Sequence, residues 1–237
     1  MSKIYEALKR AEREREKARD SFPVSRSDDG KSGRSADETY RRLRASLLFG
    51  AGASELRTIL VTAARHREGT SRVTLGLATA LAAEEGTRVL LVEANLHSPA
   101  LARRLSLDHR SGVADYLAGK ATVDELIIPV ESLGLSVILA GTLHPHASSE
   151  SIESLLAEVE PQFDYILIDA APVNRYADSS VLAAKVDGVI LVVEADRTPV
   201  VEAEAAKRNL DRAGARILGA VLNRQRSYLP AMLQGLF

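Results

Sequence analysis

The chain has no cysteine. That excludes disulfides, thiolate zinc sites, iron–sulfur clusters and cysteine nucleophiles, and it suits a reducing cytoplasm. Cofactor options narrow to nucleotides and oxygen-ligated metals. No apolar run approaches the roughly 20 residues that a membrane helix needs. The start, Met1-Ser2-Lys3-Ile4-Tyr5-Glu6, lacks the apolar centre of a signal peptide. The reading is a cytoplasmic protein. A large charge excess is missing too: the formal net charge is -1, which speaks against nonspecific binding to nucleic acid, and no nucleic-acid partner is expected. The first fifty residues are nevertheless basic and the remainder acidic, so a distinct N-terminal segment is expected.

What is present fills 237 residues, nearly half of them apolar, enough for one large domain with an appendage. Residues 1–20 are dominated by Glu, Lys and Arg, with Ile4, Leu8 and Ala11 at helical spacing, and read as a charged helix with a narrow apolar stripe. Residues 21–35 are rich in Ser, Asp and Gly without periodicity and read as a flexible linker. The domain proper is expected over 36–237. It opens with a helix over 36–49 that carries Tyr40, Leu43, Leu47 and Leu48 on one face and Glu38, Arg41 and Arg44 along another edge.

Strands and helices then alternate, which predicts an α/β fold with a doubly wound, mostly parallel sheet. Strands are expected at Thr58–Thr62, Arg88–Glu93, Leu135–Leu139, Tyr165–Asp169, Val189–Glu194 and Ile217–Leu222, where Val, Ile and Leu predominate and imply burial on both faces. Helices are expected at Thr74–Glu85, ending at Gly86, and at Ser151–Val159. Another follows Thr198 and Pro199, read as cap and first helical residue.

The first strand leads into Ala64-Arg65-His66-Arg67-Glu68-Gly69-Thr70-Ser71. A loop of the form G-x-x-x-x-G-K-[ST] cradles phosphate with backbone N–H groups and a helix N-terminus, and its lysine bridges the outer phosphates. Here Gly69 keeps the turn and Ser71 a hydroxyl for magnesium, but Thr70 stands at the lysine position. Arg65, Arg67 and Arg72 keep the loop cationic. Ligands of such sheets bind at the carboxyl ends of strands. Two further carboxyl ends carry Glu93-Ala94-Asn95-Leu96-His97 and Asp169-Ala170-Ala171-Pro172, and the last strand ends in Asn223-Arg224.

Taken in order, these four motifs resemble the bacterial tyrosine kinases of capsular and exopolysaccharide assembly. That family belongs to the deviant P-loop ATPases related to septum-positioning (MinD-like) and plasmid-partition ATPases. The opening Ser2-Lys3-Ile4-Tyr5-Glu6-Ala7-Leu8 is similar to the N-terminus of the stand-alone kinases. The resemblance implies a MinD-like P-loop fold with an N-terminal helical extension. It implies binding of ATP or ADP with Mg2+, and nucleotide contacts from Gly69, Thr70, Ser71, Arg72, Asn223 and Arg224. Ser71, Glu93 and Asp169 are the implied magnesium set, with Glu93 and Asp169 as residual catalytic groups. Glu38, Arg41 and Arg44 match an oligomerisation element, and Tyr228 is the tail tyrosine corresponding to a phosphosite.

Four departures from the family pattern cluster at the reacting phosphate: Thr70 for lysine, Glu93 and Asn95 for an aspartate pair, His97 for arginine, and Arg72 for a hydroxyl residue. Catalysis of phosphoryl transfer is almost entirely positioning and charge stabilisation, so these losses predict a pseudokinase. The expected partners are a Wzz-like membrane chain-length regulator or an active paralogous kinase, together with further copies of the chain in a homo-oligomer. An active tyrosine autokinase and a partition-type ATPase are the alternatives.

Overall fold

The computed structural model describes residues 24–28, 33–49, 56–108, 111–142 and 151–225. The charged helix expected over 1–20 and Tyr228 lie outside the described residues. Among the described residues eight strands form one sheet: β1 (Val24–Asp28), β2 (Thr58–Ala63), β3 (Val89–Glu93), β4 (Ile128–Val130), β5 (Leu135–Ile138), β6 (Tyr165–Asp169), β7 (Gly188–Glu194) and β8 (Ile217–Gln225), in the order β1-β8-β7-β2-β6-β3-β5-β4. All neighbours are parallel except β4, which runs antiparallel to β5. The helices are α1 (Gly33–Leu48), α2 (Thr70–Ala82), α3 (Leu101–Leu105), α4 (Val113–Leu117), α5 (Val123–Leu126), α6 (Ile152–Val159), α7 (Ala177–Ala183) and α8 (Val200–Arg212). No helix among the described residues is long and apolar enough to cross a membrane.

Alternation along the central strands divides the core in two. Ile59 and Val61 of β2 face one side, with Leu91, Leu167, Ile190 and Val192, and there α1, α2 and α3 cover them through Leu43, Leu47, Val73, Leu77, Leu81 and Leu101. Leu60 faces the other side with Leu90, Val92, Ile166, Ile168, Val189 and Leu191, covered by α4 to α8. Period-two side-chain alternation, apolar on both faces, is what a sheet wrapped on both sides requires.

Two strands escape the sequence pattern. Residues 24–28, within the stretch read as linker, pair with β8 along the edge of the sheet. The sequence Val-Ser-Arg-Ser-Asp carries no apolar run, because an edge strand is recruited by the open N–H and C=O groups of its neighbour rather than by burial. β4 is only Ile-Pro-Val, and its proline fits the edge it occupies. Helix starts differ as well. α2 begins four residues before the expected Thr74, whose hydroxyl bonds back to the Thr70 carbonyl at 2.9 Å and so sits inside the helix. Ser151 does cap α6, accepting the Ser154 N–H at 3.2 Å. Pro199 takes the extended conformation of a cap before α8, which leaves Thr198 for another task.

α1 is keyed onto α2 by Tyr40. A Cβ on Gly76 would sit 2.3 Å from the Tyr40 ring, so only glycine admits this close approach. From β2 the chain runs out to β3, β4 and β5, returns to β6 between β2 and β3, then crosses β2 to build β7 and β8. The carboxyl ends of the parallel strands β2, β3, β6, β7 and β8 therefore lie at one end of the sheet, where its winding reverses.

Candidate functional site

The loop after β2 ends at Gly69, whose φ of 93° is open to glycine and strained for other residues. Its missing Cβ also makes room for Asn223, since a methyl there would lie 2.2 Å from the Asn223 Nδ2. That amide donates to the Glu68 carbonyl at 2.7 Å, and its Oδ1 accepts from the Arg224 N–H at 3.0 Å. Asn223 is buried. The Asn223 side chain thus holds the loop.

Glu68 folds back under the same loop. Its Oε2 accepts the Arg65 N–H at 2.9 Å, and its Oε1 accepts the Thr198 hydroxyl. The Thr198 oxygen in turn accepts the Glu194 N–H at 2.9 Å. Burial pushes the Glu68 carboxyl upward in pKa, opposed by these hydrogen bonds. Arg224 completes the clamp by donating to the Arg67 carbonyl at 3.0 Å while pairing with Glu194 at 3.2 Å. β7, β8 and the start of α8 therefore hold the loop in place through polar contacts.

Ser71, Glu93 and Asp169 gather at the same sheet end, with Glu93 and Asp169 paired across β3 and β6. Of the magnesium set that the resemblance implies, Glu93 is taken up by backbone donors, which leaves Ser71 and Asp169. Glu93 is buried, and its carboxylate is committed to three backbone donors: Ala100 and Leu101 on Oε1, and Ala140 on Oε2 at 3.1 Å. It caps α3 and ties the following loop to β5. Asn95, the neutral replacement, accepts the Ser98 N–H at 3.2 Å and shapes the turn.

Asp169 is fully buried, and neither of its oxygens closes a hydrogen bond of normal geometry. Burial pushes its pKa up to about 7; the Ser71 hydroxyl pulls it down, the Glu93 carboxylate pushes it up and Arg104 pulls it down. Among the described residues no three acidic or imidazole groups are placed to hold a metal ion. Magnesium demands near-ideal octahedral oxygen coordination. In nucleotide sites the protein supplies only part of that octahedron, commonly a loop hydroxyl and a strand-end carboxylate, with phosphate oxygens and water as the rest; Ser71 and the unpaired Asp169 carboxylate would fit that role.

The other candidates separate. His97 stacks on Tyr176 with ring centroids 3.8 Å apart and lies 3.7 Å from Asp178, joining the loops after β3 and β6. Arg72 does not line the cleft; one position beyond Ser71 the helix turns toward α1, and the Arg72 carbonyl accepts the Tyr40 hydroxyl at 3.3 Å. Of the helix motif, Glu38 pairs with Arg41 at 3.5 Å and Arg42 at 3.2 Å. Arg44 turns inward, pairing with Glu84 at 2.5 Å and bonding the Ala80 carbonyl at 3.2 Å.

The loop opens onto a cleft of about 870 Å³. Six arginines line it, Arg65, Arg67, Arg103, Arg104, Arg197 and Arg224, against two glutamates, Glu68 and Glu194. Arg103, Arg104 and Arg197 were missed by motif reasoning. The Arg103-Arg104 pair follows shortly after the Glu93 motif, and tracing the chain past Pro99 into the short α3 is the signal that would have found it. Such a cleft suits a multiply charged anion, because guanidinium forks match phosphate oxygens.

A family model described as ParA, NUBPL iron-transfer P-loop NTPase, matches residues 56–233. The putative tyrosine-protein kinase CapB of Staphylococcus aureus is 28% identical over 191 residues, 79% of this chain and 83% of that protein. The tyrosine-protein kinase YwqD of Bacillus subtilis is 27% identical over 190 residues, 78% of this chain and 80% of that protein. Among solved structures, the kinase domain of the Escherichia coli tyrosine kinase ETK superposes with a TM-score of 0.75 at 26% identity, covering 83% of this chain and 80% of that one.

Proposed function

Because this chain belongs to the ParA family of P-loop NTPases and is related within it to bacterial tyrosine kinases, we propose that it is a kinase-like subunit of a capsule or exopolysaccharide assembly system that has given up phosphoryl transfer. It works in the cytoplasm at the inner face of the membrane. There it docks on the cytoplasmic end of a chain-length regulator, or on an active paralogous kinase, and regulates or completes the assembly. The observation that carries the reading is the committed state of the groups where chemistry would occur. Thr70 brings no cation to the transferring group, and Glu93 is tied to three backbone donors. Asn95 is no base.

Losing one preorganised stabiliser commonly raises a transition state by about 3 to 4 kcal/mol, a factor of roughly 10² to 10³ in rate. The remaining side chains have clear tasks short of catalysis. Gly69 and the start of α2 aim N–H groups into the cleft, and Thr198, Asn223 and Arg224 hold the loop that does so. The test is ATP hydrolysis and phosphotyrosine formation by the full chain with its membrane partner. Background rates are expected, and robust turnover abolished by Asp169→Ala would sink the pseudokinase.

Assembly is proposed through the exposed part of the α1 motif, Glu38 and Arg41, since Arg44 serves the packing of α1 on α2. Arg41→Glu is expected to lower the oligomer mass in sedimentation without changing the melting curve. An unaltered sedimentation profile removes this edge from the interface.

A further inference from the structure

Two residues that are not glycine hold left-handed backbone angles and clasp each other at this end of the sheet. Arg67, in the loop after β2, has a φ of 67°, and Arg224, near the end of β8, has a φ of 56°. Such angles are unfavourable for a residue with a side chain and persist where the surroundings over-determine them. The Arg224 guanidinium donates to the Arg67 carbonyl at 3.0 Å and pairs with Glu194 at 3.2 Å. Its neighbour Asn223 donates to the Glu68 carbonyl at 2.7 Å. Two consecutive side chains of β8 thus hold two consecutive carbonyls of the loop.

The shape of β8 at that point depends on the edge strand. Arg26 of β1 pairs with Leu222 and Asp28 with Gln225, so Asn223 and Arg224 together stand against the single residue Ser27. Two residues against one make a β-bulge, which bends a strand and re-aims its side chains. On the opposite side β8 pairs with β7 as far as Asn223, across from Glu194. Among the described residues, the ladder to β1 alone continues past it, to Gln225. β1 itself is five residues long, Val-Ser-Arg-Ser-Asp, and lies at the edge of the sheet. A short polar edge strand belongs to the low end of local stability, from which moving elements are drawn.

We propose that β1 is a regulatory strap. Paired along β8, it fixes the bulge at Asn223 and Arg224 and so locks the loop from Ala64 to Ser71. When it peels away, Arg224 relaxes to ordinary strand geometry, lets go of the Arg67 carbonyl and frees the loop. The β1–β8 ladder is the two-state element, and a partner that captures the chain at Val24–Asp28 shifts it toward the open state. The strap works whether or not the cleft transfers phosphate, so it stands or falls apart from the pseudokinase reading.

The test is hydrogen exchange of the full chain read by mass spectrometry. Replacing Arg26 and Ser27 together by proline removes two consecutive N–H groups, which breaks the ladder on whichever of them faces β8. Exchange is expected to rise about tenfold or more at residues 221–225 and at residues 64–71, the size of losing a hydrogen bond to a charged group. Amides of β3 and β6 are expected to stay protected. Alanine at the same two positions, which keeps the N–H groups, is expected to leave all three regions unchanged. Arg224→Ala is expected to free residues 64–71 to the same degree, and combining it with the proline pair to add nothing further. Faster exchange at 221–225 with the loop still protected overturns the proposal, as do unaltered exchange at 221–225 and additive effects of the two changes. If the proline pair lowers the melting temperature of the whole protein, Arg224→Ala decides alone: a loop that still exchanges at the wild-type rate overturns the proposal.

Discussion

Replacing Asp169 by asparagine is expected to stabilise the protein, increasingly so as pH rises. The carboxyl is fully buried and neither oxygen closes a normal hydrogen bond, so ionising it places a charge where water cannot reach. Burial, with the opposing pull of Ser71, lifts its pKa from 3.8 to about 7. In the unfolded chain the group ionises near its ordinary value. Between these two values the folded state therefore holds the extra proton, and stability falls as pH rises through that window. Above pH 7 the penalty is complete at about 4 kcal/mol, from 1.36 kcal/mol per pH unit of displacement. Below pH 4 it vanishes. Asparagine keeps the shape, removes the charge and retains a buried amide that still needs partners, so the net gain at pH 8 is expected to be about 2 to 4 kcal/mol. Urea unfolding followed by circular dichroism at pH 4, 6 and 8 measures it. Wild-type and variant curves that run parallel in pH would refute the reasoning, because the carboxylate would then carry no folding penalty.

Gly69→Ala combines a left-handed backbone with a methyl 2.2 Å from the Asn223 amide, and is expected to cost about 2 kcal/mol or more in chemical unfolding. Thr198→Val removes the hydroxyl that joins Glu68 to the Glu194 N–H. A loss of about 2 kcal/mol and faster amide exchange at Arg65 are expected, while Thr198→Ser keeps both. Arg44→Ala breaks the contacts to Glu84 and the Ala80 carbonyl and is expected to lower stability by about 1 kcal/mol. Oligomer mass in sedimentation should hold, in contrast with Arg41→Glu.

The central strands could be read from the chain because their Val, Ile and Leu runs are buried on both faces, a demand that leaves its mark on every residue. β1 was illegible for the opposite reason. Its polar residues answer to backbone pairing with β8, which constrains composition hardly at all. At the site, the loop from Ala64 to Ser71 was legible because it is one continuous segment with glycine at a position that sequence alone can flag. The role of Glu93 was not. An acidic residue at a strand end looks like a metal ligand until its three donors are placed around it, two from the start of α3 and one from beyond β5. Thr198 misled in the same way: Thr-Pro is a strong local signal for a helix start, but the hydroxyl is captured by Glu68, 130 residues away.

The substitutions at this sheet end compensate one another electrostatically. Losing the loop lysine and keeping every acid would leave a cleft that repels phosphate; losing the acids and keeping the lysine would leave one that holds it too indiscriminately for transfer. Here the lysine position is neutral and Asn95 is neutral, while Glu93 and Asp169 are buried out of the cleft wall. The arginines then set the sign of the field. Guanidinium groups drawn from several separate segments around one cleft favour an anion that stays whole, because they neutralise ground-state charge broadly instead of concentrating on one bond as it breaks. Such an arrangement suits holding a multiply charged anion rather than transferring a group from it, which is the property that the proposed pseudokinase requires.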